Sequence, residues 1–476
     1  MKMAPIFAGT EIVQYLAVFF ASLNIITSGL GYGWPSGSLP HLLNFNDTSV
    51  NLHLTPSEGS WAAIGPLVGA IIGSPLAGIT LDLVGRRRMI LFTFFPYVTS
   101  WLIVAFTSSP EVLIFGRMIS GISDGCLFTS APIYIGEIAK PKVRGLLCSS
   151  IPVCLISGVL LINILEAFIS VPVCALLVTI LPTTSFIGML FMPESPYYLL
   201  MKDKSAEAQE TLERLRGTEE VDEELKRMSE AVRSQKEESR GKFKDIFTVA
   251  SNRKALLIMM LLRATQQFSG ITALIFYISI ILEESGSQYS VTLCTLLFFA
   301  VQLVMSILGS AVVDWTGRRM LLLWSAFGSG VALFVEGLYF QLDQDGTDVT
   351  RWAFIPITAL IVYVIFYGFG LQNIPLLMLG ELFPTNIKAI ALCFGDLYFA
   401  ALASIVSKYF QVVSTDIGPF FAFYTFSACC FVGLCLIYLF VPETKGITLE
   451  EIQSLLKTGK KFTNQKDSAD KEGQMK

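Results

Sequence analysis

Twelve long apolar runs, separated by polar connections, dominate the hydrophobic pattern of this chain. The hydrocarbon core of a bilayer is about 30 Å thick, and a helix needs roughly 20 apolar residues to cross it. Each run therefore predicts one transmembrane helix. The runs lie near 11–32, 59–81, 89–107, 111–136, 146–166, 171–192, 255–282, 290–313, 320–341, 352–379, 389–411 and 418–441.

One polar segment, residues 195–250, is long enough to form structure of its own between the sixth and seventh runs. It contains AEAQETLERLRG and VDEELKRMSEAVRSQ, in which acids and bases recur at helical spacing. We predict short cytoplasmic helices here, with a solvated linker as the alternative. The predicted domains are a six-helix bundle (1–194), the linker helices (195–250), a second six-helix bundle (251–441) and a cytoplasmic tail (442–476).

Basic residues in the connections predict the orientation of the helices. Loops on the cytoplasmic side of a membrane carry an excess of Lys and Arg. Both termini are therefore predicted to be cytoplasmic, in a multi-pass protein of the plasma membrane. The basic residues follow even-numbered runs and include Arg86, Arg87, Arg88, Lys140, Lys142, Arg144, Lys254, Arg318, Arg319 and Lys388, with Arg351 the exception on the other side.

The first outer connection, about 33–58, carries a candidate modification site. Asn46-Asp47-Thr48 is an acceptor sequence for N-linked glycans. His41 and His53, the two histidines of the chain, lie in the same polar connection and are interpreted as solvated. The run before this connection ends without a cleavage signal, so we predict a retained helix rather than a signal peptide.

Composition excludes several classes of function. Charged residues make up 15% of the chain, against about 25% in average proteins, and the net charge of −4 includes no basic field for nucleic acid. The nine cysteines lie in or beside apolar runs without a CxxC pair, which argues against disulfides and metal sites. The chain has neither a GxxxxGK[ST] phosphate loop nor a nucleophile–base set. We expect no enzyme activity, metal, cofactor or nucleic-acid partner.

Charged phrases recur in the two halves of the chain, about 240 residues apart. DLVGRRR is echoed by DWTGRR, and PES at 193–195 by PET at 442–444. A six-span repeat explains the echoes, and two parallel repeats are typical of the major facilitator architecture. We predict that the repeated charges form a latch at the cytoplasmic gate, with helix anchoring as the alternative. The candidates are Asp82, Arg86, Arg87, Glu137, Arg144, Glu194, Asp314, Arg318, Arg319, Glu381, Lys388 and Glu443.

Six motifs, in order along nearly the whole chain, resemble the sugar-porter branch of the major facilitator superfamily, and most closely its facilitated trehalose transporters. They are GRMISGISDG, PIYIGEIAKPKVRG, PESPYYLL, QQFSGI, GELFPTNIK and PETKGITLEEI. The resemblance implies alternating access around a site at mid-membrane. It assigns substrate contacts to the paired glutamines Gln266 and Gln267. Thr272, which stands where the family has an asparagine, and Gln372 and Asn373 in QNIPL, with Asn373 at a family proline position, are further candidates. Amides suit a sugar because they donate and accept hydrogen bonds at once.

Several positions depart from the family pattern. Leu376 stands where the family has a sugar-stacking tryptophan, and Phe399 and Ala400 replace its asparagine–tryptophan pair. Pro152 stands where hexose carriers have a substrate-contacting glutamine. Gly33 occupies the place of the aspartate of proton-driven members, which favours facilitated diffusion.

Four charges fall inside predicted spans: Asp124, Arg263, Glu336 and Asp396. Ionisable groups in spans are costly and by default suggest a pathway or ion site. Asp124, Arg263 and Asp396 are therefore candidates for an intramembrane charge pathway, with boundary charges that pair or snorkel as the alternative.

The sequence predicts an all-α carrier with twelve spans in two six-helix bundles. Its expected substrate is trehalose or a hexose, moved by uniport, and its other expected partners are membrane lipids; the oligomeric state is left open. Two alternatives stay open: a proton-coupled carrier or one of another small, charged solute, and a non-transporting sugar sensor.

Overall fold

All twelve predicted spans are present as helices in the computed structural model, which describes residues 11–47, 52–218, 220–237, 245–286, 289–383, 385–445 and 451–452. Within these ranges the chain contains no strand. The all-α fold class is confirmed. Spans 1 to 12 are Ile12–Leu43, Pro56–Val84, Arg86–Phe106, Pro110–Ile138, Pro141–Glu166, Val171–Phe191, Ala250–Glu284, Val291–Val313, Arg318–Gln344, Thr350–Met378, Ile390–Asp416 and Pro419–Phe440.

Local signals in the sequence explain where several spans begin. Thr55 caps span 2: its hydroxyl accepts a hydrogen bond from the backbone N–H of Glu58, whose carboxylate accepts one from the N–H of Thr55. This reciprocal pair is a capping box. Spans 2, 4, 5 and 12 each have proline at a first helical position, where its missing N–H costs nothing.

Two spans of the second bundle are broken near their middle. In span 7 one helix ends at Phe268 and the next begins at Ile271, with Gly270 between them in the left-handed region at φ 83°. In span 10 the helix Ile355–Phe369 is followed by a second one, Ile374–Leu382. Broken helices expose backbone carbonyls inside the membrane, which is tolerated where they bind protein groups or line a site.

Small residues let spans of the first bundle approach closely. A Cβ atom added at Gly29 of span 1 would lie 2.0 Å from the carbonyl oxygen of Leu155 in span 5. One added at Gly158 of span 5 would lie 2.2 Å from the carbonyl oxygen of Ile26. Backbones that touch in this way gain van der Waals packing, which is a main source of helix association in lipid.

The two bundles share an apolar cluster toward one end of the spans. We call the end at which residues 192–218 lie the linker face, and the opposite end, with residues 44–47 and 52–55, the far face. The largest apolar cluster belongs to the second bundle and takes in a few residues of the first: Leu39, Ala63, Ile64, Leu67 and Val159. These five lie in the halves of spans 1, 2 and 5 nearer the far face. The described bundles are therefore in apolar contact on that side.

The linker between the bundles is helical, as predicted, with helices Pro196–Met201, Ser205–Arg216, Asp222–Glu237 and Asp245–Thr248. Arg216 fastens it to the first bundle. Its guanidinium binds Glu224 with two hydrogen bonds of 2.9 and 2.8 Å and donates to the carbonyl oxygen of Ile138 at 2.9 Å. The hydrogen bond from Arg216 lowers the pKa of the Glu224 carboxyl. This contact makes the linker part of the first bundle's surface.

Candidate substrate site and helix-end contacts

Gln266, one of the two predicted glutamines, joins the two broken spans. Its side chain is buried, and its Nε2 donates hydrogen bonds to the carbonyl oxygens of Leu371, at 2.7 Å, and Gln372, at 3.2 Å. Both carbonyls lie in the break of span 10, where helix geometry leaves them without intrahelical partners. The amide thus replaces the missing backbone bonds at mid-span.

Gln267 and Thr272 lie where the two bundles meet. The Thr272 hydroxyl donates to Gln267 Oε1 at 2.7 Å, and it lies 2.8 Å from the hydroxyl of Tyr32 on span 1. Gln267 is fully buried, and its Nε2 has no hydrogen-bond partner among the described residues. A buried amide donor without a partner costs about 1–3 kcal/mol, so this group is suited to a polar ligand or water.

Further polar groups surround the break of span 10. Asn373 Nδ2 contacts the Ser306 carbonyl and the Ser310 hydroxyl of span 8, both at 3.3 Å. The buried amide atoms of Gln372 and Asn373 Oδ1 lack hydrogen-bond partners in the described part of the chain. Gln302 of span 8, which sequence reasoning missed, is also buried with Oε1 unpartnered among those residues. The sequence feature that could have revealed Gln302 is a single amide side chain in an otherwise apolar run.

Arg263 and Asp396, two of the predicted intramembrane charges, lie together. Arg263 Nη2 is 3.6 Å from Asp396 Oδ1, and Arg263 Nη1 donates to Gln266 Oε1 at 3.0 Å. The guanidinium also stacks over the ring of Phe399, 5.0 Å from its centre. This pair is therefore connected directly to the predicted glutamine.

The other charges within spans have different surroundings. Asp124 accepts a hydrogen bond of 2.6 Å from the hydroxyl of Tyr97 on span 3. Glu336 is fully buried in span 9, and neither carboxylate oxygen has a hydrogen-bond partner among the described residues. A buried carboxylate usually has a partner, so Glu336 is an outlier among the charges within the spans.

Two buried charged residues of the spans were not singled out from the sequence. Arg117, in the GRMISG motif of span 4, donates to the carbonyl oxygen of Gly31 at 2.6 Å and stacks on Trp34 at 4.5 Å. Glu166, at the far-face end of span 5, accepts a hydrogen bond of 2.6 Å from Ser38. The sequence feature that could have revealed them is a charged residue within an apolar run, for Arg117, or at the end of one, for Glu166. Arg117 lies beside the segment of span 1 that contains Gly33. The hydrogen bonds that its guanidinium donates go to backbone carbonyl oxygens and not to a carboxylate.

The repeated phrases form the same structure at the linker face of both bundles. The Glu194 carboxylate accepts hydrogen bonds from the backbone N–H groups of Arg87, at 3.0 Å, and Ser195, at 2.9 Å. Glu443 accepts bonds of 3.0 Å from the N–H groups of Arg318 and Arg319. In each case a carboxylate after the last span of a bundle caps the first turn of its third span, where unpaired N–H groups and the helix dipole favour an anion.

A glycine completes each of these caps. Gly85 and Gly317 precede the capped helices at φ 105° and 99°, a region that favours glycine. An added Cβ would lie 2.6 Å from Glu194 Oε2 in the first bundle and 2.9 Å from Glu443 Oε2 in the second. The glycine of each GRR phrase is therefore required for both the turn and the close approach of the carboxylate.

The remaining predicted gate residues have mixed outcomes. Arg86 contacts Asp82 at 3.0 Å and Glu137 at 3.1 Å, and Glu137 also accepts a hydrogen bond from Ser195. The side chains of Asp314, Glu381 and Lys388 lie outside the described residues.

The expected pair of Arg144 and Glu194 is not formed in this structure. Arg144 is exposed, whereas the Glu194 carboxylate is bound to backbone N–H groups. The ion pairs and caps described above join helices of the same bundle. This arrangement favours helix anchoring in the present conformation, and the role of these charges as a latch stays a prediction.

At the far face a lysine joins the two bundles. Lys408 Nζ of span 11 donates to Ser60 Oγ of span 2 at 2.6 Å and lies 5.5 Å from the ring centre of Trp61. Asn46 is exposed in the same region, while Thr48, the third residue of its acceptor triplet, lies outside the described residues. Lys408 was not singled out from the sequence, where it is a lone lysine near the end of an apolar run.

Comparison with known proteins identifies the family. A model of the family described as "Sugar (and other) transporter" matches residues 21–456. The chain belongs to this family. The facilitated trehalose transporter Tret1 of Culex quinquefasciatus is 32% identical over 444 residues, which cover 92% of this chain and 85% of that protein. Tret1 of Drosophila yakuba is 33% identical over 455 residues, which cover 94% of this chain and 52% of the fly protein. The chain thus spans about half the length of the Drosophila relatives.

Solved structures show the same fold. The major facilitator proton:xylose symporter XylE, bound to 6-bromo-6-deoxy-D-glucose, has a TM-score of 0.75 and 22% identity, covering 94% of this chain and 99% of that one. The inward open conformation of XylE from E. coli has a TM-score of 0.76 and 21% identity, covering 93% and 99%. The member of the sugar transporter family described here therefore has the major facilitator fold, and it is a multi-pass membrane protein.

Proposed function

We propose that this protein transports a sugar, trehalose or a hexose, across the plasma membrane by facilitated diffusion. The observation that carries the proposal is the group of buried amides at the breaks of spans 7 and 10. Gln267 lies at the contact between the bundles with an unpartnered amide nitrogen, within the described residues. Sugar hydroxyls donate and accept at once, and amides match both functions. The names of the relatives point to the same substrate class.

The mechanism follows from the two-bundle architecture. Contacts between bundles at the far face, such as Lys408 with Ser60, would break as the protein opens on that side. The caps at the linker face, which bind helices within one bundle, would let each bundle move as a unit. We assign the linker face to the cytoplasm because it carries the clustered arginines and lysines. The domain limits at 194, 250 and 441 are part of this proposal.

Facilitated diffusion is favoured by the residue at position 33. Gly33 is buried against span 5, where an added Cβ would lie 2.9 Å from the Cα of Val159. This position holds no titratable group and leaves no space for one. The solute gradient then supplies the driving force.

The test is uptake into proteoliposomes of labelled trehalose and glucose, with and without an imposed proton gradient. Saturable uptake that the gradient does not change would support the proposal. Proton-dependent uptake would favour coupling through another group, and entry of a charged metabolite without any sugar would favour the charged-solute carrier. Absence of uptake of every solute would favour the sensor.

A matched pair of glutamine variants connects the uptake to the site. Gln266→Ala removes the amide that joins spans 7 and 10, and we expect at least a tenfold loss of uptake at low sugar concentration, because a buried hydrogen bond and its partners are lost. Gln209→Ala, in the linker, is the control; Gln209 donates to Glu213 within one helix. Equal uptake by both variants would remove Gln266 from the site.

A further inference from the structure

Asp396 has the geometry of a ligand-binding carboxylate. We propose that Asp396, held by Arg263, contacts the sugar directly and accepts hydrogen bonds from two neighbouring hydroxyl groups. The inference rests on the proposed function and assigns to it a residue outside the glutamine set. It replaces a charge pathway through Asp124, Arg263 and Asp396 with a local role for the last two.

The position of Asp396 on its helix directs it toward the other bundle. Cys393, three residues earlier on span 11, lies 3.5 Å from the carbonyl oxygen of Ser74 on span 2. An added Cβ at Gly78 of span 2 would also contact Cys393, at 3.3 Å. Residues three apart share a helix face. Asp396 is therefore on the face of span 11 that meets the first bundle, where a solute passing between the bundles has to travel.

The side chain of Asp396 is partly exposed, whereas that of Arg263 is buried. The side chain of Asp396 is 20% exposed and that of Arg263 only 7%. Their separation of 3.6 Å is an ion pair without a direct hydrogen bond. Within the described residues, no group donates a hydrogen bond to Asp396. The oxygens of this carboxylate thus keep their capacity to accept, and an ionised carboxylate accepts strong hydrogen bonds from hydroxyls.

The surroundings of Arg263 fit a supporting role. The guanidinium contacts Asp396, Gln266 and the face of Phe399 at once. A buried cation of this kind compensates the carboxylate charge, which would otherwise be costly inside the membrane. It also orients the Gln266 amide. The same arginine therefore links the carboxylate to the glutamine that joins the two broken spans.

The internal repeat gives Asp396 a counterpart in the first bundle. Asp396 stands eight residues after Lys388, as Pro152 stands eight after Arg144. Pro152 occupies the place at which related hexose carriers have a glutamine, so the first bundle offers no polar side chain there. The second bundle offers a carboxylate at the corresponding place.

The experiment compares sugar affinity in proteoliposomes for the wild type, Asp396→Asn and the double variant Arg263→Gln/Asp396→Asn. Inhibition of labelled glucose uptake is measured with glucose and each of its monodeoxy analogues. We expect Asp396→Asn to bind glucose about 10- to 100-fold more weakly, as for hydrogen bonds to a charged group. Two adjacent monodeoxy analogues should lose less affinity than glucose loses on this change, because each lacks one of the two hydroxyls that Asp396 contacts.

The double variant separates a substrate contact from a structural ion pair. It removes both charges together, so it leaves no uncompensated charge and keeps the fold even where the single variant does not. If Asp396 contacts sugar, the double variant stays weak in affinity; recovery of wild-type affinity would overturn the proposal. Glu336→Gln, another carboxyl-to-amide change in a buried span, is the control and should bind glucose normally.

The remaining outcomes are equally decisive. Wild-type uptake together with unchanged glucose affinity in Asp396→Asn would overturn this inference and leave the proposed function standing. No saturable sugar uptake by the wild type would overturn both. Equal losses with every deoxy analogue would show a general effect on the site rather than a contact with particular hydroxyls, and would also contradict the proposal.

Discussion

Lys408 and Ser60 lie 348 residues apart in sequence and 2.6 Å apart in space, joining span 11 to span 2 at the far face. The lysine also lies 3.4 Å from Ser57 Oγ and over the ring of Trp61. These contacts cross between the bundles. They are thus of the kind that must form and break when a carrier alternates between its two openings.

Replacing Lys408 with Met should therefore favour opening at the far face. The contact is partly exposed, so we expect a change of about 1 kcal/mol, or about fivefold in the ratio of closed to open molecules. Electron-spin distances between labels at Phe45 and Ile417, both exposed at the far face, would measure it in a cysteine-depleted protein. Lys142→Met, at the linker face, is the control. An unchanged distance distribution in Lys408→Met would show that the lysine does not hold this face closed.

Acid should weaken the cap that Glu443 forms on span 9. Partial burial by itself would raise the pKa of Glu443, but the N–H groups of Lys445, Arg318, Arg319 and Thr444 hold it below its ordinary value. A lowered pKa in the folded state means that the cap stabilises the fold above the unfolded-state value of about 4.3 and is lost as pH falls through the folded-state pKa.

The measurement is the melting temperature of the wild type and of Glu443→Gln as a function of pH. Between about pH 5 and 7 the Glu443 carboxylate is ionised, so the melting temperature of the wild type should exceed that of Glu443→Gln by a constant amount. The difference should shrink in more acid solution, where the wild-type carboxylate becomes protonated. A difference that persists unchanged down to about pH 3 would contradict the assignment of the cap to the ionised carboxylate.

Gly317→Ala should destabilise the second bundle by about 1–2 kcal/mol, the cost of a left-handed conformation in a residue with a Cβ. The close approach of Glu443 Oε2, 2.9 Å from the added atom, adds to this cost. Gly145→Ala is the matched control, since an added Cβ there meets nothing within 4 Å. Thermal unfolding in detergent compares the two, and equal melting temperatures would contradict the cap geometry.

Asn46→Gln should increase the mobility of the protein on a gel after expression in a glycosylating host. Asn46 is exposed, and it lies at the far face, which we assign to the outside. Asn44→Gln, in the same connection but outside the acceptor triplet, is the control. Identical mobility of the wild type and Asn46→Gln would count against use of the site.

The hydrophobic pattern of the chain was sufficient to predict the existence of its spans. Each span is an apolar run, and its existence follows from hydrophobicity alone, so all twelve were predicted. The limit of span 1 was wrong: the run was predicted to end near 32, whereas the helix continues to Leu43 through residues that were assigned to the outer connection. Gln266 and Gln267 could be singled out as candidates because their motif is local. By contrast, Arg144 and Glu194 were predicted from charge and spacing to pair with each other. In the structure Arg144 is exposed, and the Glu194 carboxylate is bound to backbone N–H groups.

The sequence by itself determined the number of spans, the six-span repeat and the family resemblance, because these are written in composition and in short motifs. Only the tertiary structure decided which polar groups meet. Lys408 with Ser60, Tyr32 with Thr272 and Arg263 with Asp396 each join different spans. Their contacts depend on how helices rotate and approach one another, and that is decided by close packing of small and apolar side chains, which a single run of residues does not encode.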